Sequence, residues 1–424
     1  MKPTRLFVSL AVCLLLALFV STSGCGKNPA PESTGIPEER MAAIRQAGFP
    51  SNLRELGAWY PWPAKEEDAS THYLKAFEAL APVEPDSPQF LARNRIALTL
   101  LYEAAAHEKC RYPLDFAKGF GLELPHLAKI KKGVQLLAEE ASNHASNGRL
   151  DEATDSLLAG IRLTRSIEKE PLFISFLVQV AGGAILQRSL EEIMDRQTLS
   201  EADLRRLEPA FLEMEGGISL ARAFAGERCM GLSVFQLPAP QAAAVIGTIK
   251  KSESGFDMAA YRQRKAFRAD MNFYLDYMAS YISAASLPYP DCIAVMIEIP
   301  QRLGDPTSKG YFVSGLLLHD AFSAASPLPR TALSKAADGV GRTRLARAAL
   351  AVVLGPSADE VLAAVGTKPS IVRAVDDLAR RRRTDPLAQA VARLAVLRSE
   401  VEEEALPDLA LFIALVQLAL FTEQ

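Results

Sequence analysis

The sequence predicts an all-α protein in which antiparallel helix pairs form a solenoid-like or bundle array, with no significant β-sheet. Three observations carry that expectation. Ala, Leu, Glu and Arg, all good helix formers, dominate the chain. Strand-type alternation of apolar and polar residues is nearly absent, whereas apolar residues recur at steps of three and four. Helix starts are also signalled repeatedly, by Ser or Asp set before Pro or an acidic residue.

The elements follow in order. Ser87 and Pro88 pair an N-cap with Pro at the first helical position, opening a predicted helix to about Lys109. Further helices are predicted from Pro125 to Ser146, Asp151 to Glu168, and Pro171 to Asp195. The last of these is strongly apolar from Leu172 to Leu186, carries Gly182 and Gly183, and is expected to be a central core helix. Ser200 with Asp203 three residues on has the form of a capping box, before a helix to about Glu215. The stretch 237–255, with Pro238, Pro240 and a Ser/Gly-rich end, is the expected boundary between an N-terminal helical region (37–236) and a C-terminal one (256–424).

Beyond it, Asp257 to Ala285 is the longest candidate helix. Phe267, Met271, Tyr274, Met278 and Tyr281 recur at steps of four and three, so they share one face, which is expected to be core. Shorter helices are predicted after Ser357, Ser370 and Asp385, and Pro407 starts the last one. Leu409 to Phe421 is apolar except for Gln417. At about 20 Å it falls short of a hydrocarbon core of about 30 Å, so a buried closing helix is expected.

The N-terminus has its own logic. Lys2 and Arg5 precede an apolar run from Leu6 to Val20, and small residues lead to Cys25. That order is the secretory signal pattern. Thr22, Ser23, Gly24 and Cys25 resemble the lipobox of bacterial lipoproteins, with Thr22 where an aliphatic residue is usual. The resemblance implies cleavage of residues 1–24, lipidation of Cys25 and a stable membrane anchor. Residues 25–36 then read as a flexible lipid-anchored spacer. Gly26 stands where Asp would retain such a protein in the inner membrane of well-studied envelopes, so the resemblance favours the periplasmic face of the outer membrane.

Two further resemblances concern the fold. Ala141, Gly148, Leu150, Ala153, Leu157, Gly160 and Leu163 sit where a tetratricopeptide-type helical hairpin wants small or apolar residues. No second copy follows at the repeat spacing of about 34 residues. The segments Leu56 to Pro61, Cys110 to Pro113 and Leu157 to Gly160 are similar to all-helical bacterial envelope proteins, a likeness that implies no activity.

Composition narrows the function. Without Lys2 and Arg5, 45 basic residues face 50 acidic ones, a net charge of −5. Nucleic acid, whose binding needs a basic field, is therefore not an expected partner. Cys110, Cys229 and Cys292 are odd in number and widely spaced, which points to free buried thiols, or to one bridge with a spare thiol, rather than a disulfide framework.

Motifs for chemistry are missing. His72, His107, His126, His144 and His319 form no HExxH arrangement and no zinc spacing with cysteine. His107 and Cys110 are three residues apart on the predicted helix, giving at most two ligands, so no metal and no cofactor is expected. Gly339 to Gly341 lacks the preceding strand of a dinucleotide site. Arg380 to Arg383 ends a predicted helix, where cations favour the dipole. Glu227, Gly231, Leu232 and Gln236 to Pro238 are weakly similar to lytic transglycosylases, whose single Glu serves as acid and base. The spacing departs from that pattern and Arg228 stands where its Ser belongs, so no catalytic residue is assigned.

Trp59, Tyr60, Pro61, Trp62 and Pro63 form the most unusual segment. Its prolines hold it extended and exclude helix. Three aromatics on a stiff strip would serve either as a brace across the body or as a binding strip for sugar rings or a partner peptide. The whole reads as a membrane-tethered envelope lipoprotein whose helical body binds another envelope protein without catalysis. An enzyme acting on envelope glycan or lipid, or a small-ligand binder with an interhelical pocket, are the alternatives.

Overall fold

The computed structural model describes residues 38–194, 196–216, 219–249, 255–287 and 291–322. The predicted elements at Cys25, at residues 357–383 and at Leu409 to Phe421 lie outside the described residues. Within them the chain is all-α, with a single isolated bridge between Asp68 and Lys109 and no sheet among the described residues.

The first half is built from α1 (Glu38–Gln46), α2 (Leu53–Trp59), α3 (Ser70–Glu78), α4 (Phe90–Arg93) and α5 (Arg95–Ala105). The expected helix from Ser87 to Lys109 is shorter and broken. The Ser87 hydroxyl serves a turn, accepting the N–H of Gln89. Asn94 makes the break: buried, its amide donates to the Phe90 carbonyl while its oxygen accepts the Ala81 N–H at 2.8 Å. A side chain that competes for main-chain partners weakens a helix at that point. After Ala105 the chain turns and runs beside the start of α3, with Ala69 donating to the Lys109 carbonyl.

The centre is α6 (Pro125–Ser146), α7 (Leu150–Arg165) and α8 (Phe173–Met194). Prediction and structure agree closely here. Pro125 occupies the first turn of α6, where its missing N–H costs nothing. Gly148 makes the turn to α7 with φ of +71°, a conformation that side-chain-bearing residues resist. Arg149 and Gly148 donate back to the carbonyls of His144 and Ala145, closing α6. The two helices pack along each other and both lie against α8. Ala141, Ala153, Leu157 and Leu163 are buried in the contact.

The second half comprises α9 (Glu201–Gly216), α10 (Leu220–Gln236), α11 (Ala239–Ile249), α12 (Met258–Arg262), α13 (Lys265–Ala284), α14 (Asp291–Leu303) and α15 (Phe312–Phe322). The Ser200 cap of α9 is present, its hydroxyl accepting the Asp203 N–H and donating to the Asp203 carboxylate. The long candidate from Asp257 is divided between α12 and α13, with Arg264 in extended conformation between them. The five predicted face residues of α13 are all buried.

Apolar side chains gather in two large clusters. One holds α3, α5, α6, α7 and α9 around Leu101, Leu137, Leu157 and Phe211. The other joins α1 to α10–α15 around Phe224, Phe235, Met271 and Met278. The change from one to the other falls near residues 217–219, and the stretch 237–255 contributes α11, whose Ala242 and Ile246 belong to the second cluster. Leu186 and Leu190 of α8 enter the first cluster, and Phe176 enters the second. By length and composition α8 could cross a bilayer, yet it sits between the two clusters as a shared element.

Candidate functional site

The Trp59–Trp62 strip is mounted on α2. Asn52 caps that helix by accepting the Glu55 N–H at 2.9 Å, while the Glu55 carboxylate takes the Ser51 N–H at 2.7 Å. These reciprocal bonds satisfy donors that a helix start leaves free. The helix runs through Trp59, one residue further than the prolines alone suggest. Pro61 bars only the preceding residue from the α region, and Tyr60 accordingly leaves it at φ −109°, ψ 78°.

Three arginines hold the segment. Arg228 donates to the Pro50 carbonyl at 3.0 Å and faces the Phe49 ring. Arg222 donates to the Trp59 carbonyl at 2.7 Å with its guanidinium 4.1 Å from the Trp59 ring centre. Arg111 donates to the Tyr60 carbonyl at 2.5 Å and lies between two rings, 4.7 Å from Tyr60 and 3.9 Å from Trp62. Burial lowers the pKa of all three guanidiniums. Arg222 and Arg111 sit at the carbonyl end of α2, where cations suit the helix dipole, whereas Arg228 holds the turn before its start; the ring faces add cation–π attraction.

The three aromatics of the strip have different fates. Tyr60 is 1% exposed, its ring edge-on to Phe116 and its hydroxyl accepting the Tyr112 N–H. Burial and the nearby Glu170 carboxylate push the Tyr60 hydroxyl well above its ordinary range. Trp59 is half-buried, edge-on to Phe49. Trp62 is 56% exposed. The strip is thus a brace at Tyr60 and a display at Trp62, with Arg111 backing the displayed ring.

Beneath it lies a polar cluster that no sequence pattern announces. His126 at the start of α6 bonds Glu170 at 2.8 Å, and the same carboxylate accepts the Ser175 hydroxyl at 2.6 Å. Tyr112 stacks on His126 at 4.5 Å and bonds Ser166 at 3.0 Å. The bonds that join its two stretches, His126 to Glu170 and Tyr112 to Ser166, span 44 and 54 positions, so spacing carries no signal. Serine meets the carboxylate rather than the imidazole, which is not the order of a nucleophile and its base.

The remaining candidates are dispersed. Glu227 accepts the Phe173 N–H at 3.0 Å, capping α8 from α10, and burial pushes its carboxyl above the ordinary range against that bond. His107 and Cys110 do not share a helix face, because α5 ends before them. His107 instead stacks on His72 at 4.5 Å and bonds the Glu66 carbonyl. Cys110, Cys229 and Cys292 stand outside any disulfide, and burial pushes Cys229 up to about 12. Among the described residues no group of three or more His, Cys, Asp or Glu is placed to hold a metal ion. Comparison with protein-family models, with curated proteins and with solved structures finds no match for this chain.

Proposed function

We propose that the chain is an envelope lipoprotein, anchored through Cys25 at the periplasmic face of the outer membrane, whose helical body binds another envelope protein at Trp62. The observation that carries the reading is the exposed Trp62 ring, stacked on Arg111 above the buried Tyr60. A large aromatic held in one position loses little side-chain entropy on binding, which is why Trp and Arg dominate the energetics of protein interfaces. The lipobox-like residues Thr22 to Cys25 and the Pro/Gly/Ser spacer after them support the tether.

The test has two arms. Metabolic labelling with a palmitate analogue is expected to mark the chain and to fail in Cys25→Ser. A photocrosslinking amino acid at position 62, in cells, is expected to give one discrete protein adduct that is lost with Arg111→Ala. Adducts to glycan alone would replace the protein-binding reading with an envelope-glycan reading, and unlabelled protein would remove the anchor.

A further inference from the structure

The Arg111 guanidinium is occupied along one side only. Its Nε–H donates to the Tyr60 carbonyl. The terminal nitrogens Nη1 and Nη2 meet no acceptor among the described residues, and they are not among the polar atoms sealed from water. The neighbouring acids are committed elsewhere. Asp68 accepts the Ser70 N–H, the Ser70 hydroxyl and the Arg111 main-chain N–H, and Glu67 pairs with Lys109. Both faces of the guanidinium are covered, by the Tyr60 ring at 4.7 Å and the Trp62 ring at 3.9 Å. The residue as a whole is only 7% exposed. Arg222, on the preceding carbonyl, repeats the pattern: Nε donates to the Lys169 carbonyl, Nη2 to the Trp59 carbonyl, and no carboxylate pairs with it among the described residues.

We infer that the open Nη1/Nη2 edge of Arg111 receives a carboxylate, so that the partner segment meeting Trp62 carries an Asp or Glu side chain. The inference rests on the reading of Trp62 as a protein contact and adds the chemistry of the other side. Burying a cation without a counter-charge is costly, and an arriving carboxylate recovers part of that cost. Two ring faces keep water off the guanidinium plane, which strengthens the attraction there. With Nε already engaged, the two remaining donors form the parallel pair that a carboxylate accepts through both oxygens. A neutral glycan has no group that answers both donors in this way. Apolar neighbours of the acidic residue would meet the exposed Trp62 ring on the same guanidinium.

The test reads Trp62 emission in the full chain bearing Trp59→Phe. The probes are the peptide acetyl-Gly-Glu-Leu-Glu-Gly-amide and its counterpart with Gln in place of each Glu, at equal ionic strength. The acidic peptide is expected to give a saturable change, and the Gln peptide to bind more weakly by about tenfold or more. Both probes meet the same folded protein, so the comparison does not depend on the stability of a variant. Arg111→Lys, which keeps the charge and loses the planar pair of donors, is expected to shrink the difference between them. No response, an equal response to both peptides, or the same saturation with inorganic phosphate would each overturn the carboxylate assignment. A protein crosslinked at position 62 through a segment without Asp or Glu would also overturn it while leaving the protein-binding reading in place. Absence of any protein adduct at position 62 would remove both.

Discussion

Ser314 donates two hydrogen bonds to Asp270, one from its main chain and one from its side chain. The Asp270 carboxylate accepts the Ser314 N–H at 2.9 Å, and the Ser314 hydroxyl donates to the Asp270 carbonyl at 2.8 Å. The same carboxylate takes the Val313 N–H and the Tyr261 hydroxyl, while Tyr261 accepts the Phe312 N–H. A residue of α13 therefore caps α15, and three helices meet at one buried carboxylate. Burial raises its pKa, against the bonds from Ser314, Tyr261 and Val313 that favour the charged form. Asp270→Ala leaves two main-chain amides without an acceptor and is expected to cost about 2–4 kcal/mol, read as a fall in the urea midpoint. Asp270→Asn keeps an acceptor and should cost less; equal losses would contradict the capping account.

Glu227 makes stability depend on pH in a stated direction. Burial raises its carboxyl, so the folded protein holds the proton more tightly than the unfolded chain does. The resulting stabilisation is complete below the unfolded value of about 4.5 and is lost as pH rises through the folded value. Glu227→Gln keeps an oxygen for the Phe173 N–H and cannot ionise. Its stability relative to the natural protein should increase between pH 4 and pH 7. A difference that stays flat across that range would contradict the assignment.

The thiols are expected to be inert in the folded state. Cys229 is fully buried, donates to the Pro50 carbonyl at 3.2 Å and titrates only near 12. The thiolate is the reactive form. Iodoacetamide at pH 8 should leave Cys229 and Cys292 unmodified until denaturant is added, as read by peptide mass spectrometry. Rapid labelling of Cys229 would show that the contact between α10 and the Pro50 turn opens readily.

Gly226 is where α10 crosses Pro171, two residues before α8. A Cβ there would overlap the Pro171 carbonyl oxygen, which is main chain and cannot swing aside. Gly226→Ala is expected to destabilise by about 3 kcal/mol or more. Gly148→Ala strains only a turn and should cost about 1 kcal/mol. Thermal unfolding of the two variants should rank them in that order.

The two tryptophans report separately on the strip. In Trp59→Phe the remaining Trp62 emission should be red and readily quenched by acrylamide; in Trp62→Phe the remaining Trp59 emission should be bluer and less accessible. Trp62→Ala should change stability by less than about 1 kcal/mol, because most of its ring is already solvated. Tyr60→Ala should cost about 3–5 kcal/mol, the range for a large aromatic removed from a core. Comparable losses for both would mean that Trp62 is structural.

Much of the helical layout is legible in the sequence because the relevant forces are local. Pro125, Gly148 and Ser200 act within one turn of their own position, and the α13 face repeats with the helix period. The misplacements have tertiary causes. Asn94 breaks the predicted helix through a bond to Ala81, thirteen residues away. The candidate site divides the same way. The prolines announce a stiff aromatic strip, yet which of its rings is covered depends on Arg111, Arg222 and Phe116. Glu170 and Ser175 meet locally at the start of α8, but His126 joins them only because α6 packs beside that helix, and nothing in its spacing says so.

The arginine clamps have one more consequence. Arg111, Arg222 and Arg228 grip carbonyl oxygens of residues 50, 59 and 60, atoms that every amino acid possesses. The hydrogen bonds of the mount therefore do not depend on what stands at position 62; only the Arg111 ring contact does. A lineage, or an engineer, could retool the exposed tip through many side chains while the bracket beneath it keeps its fit.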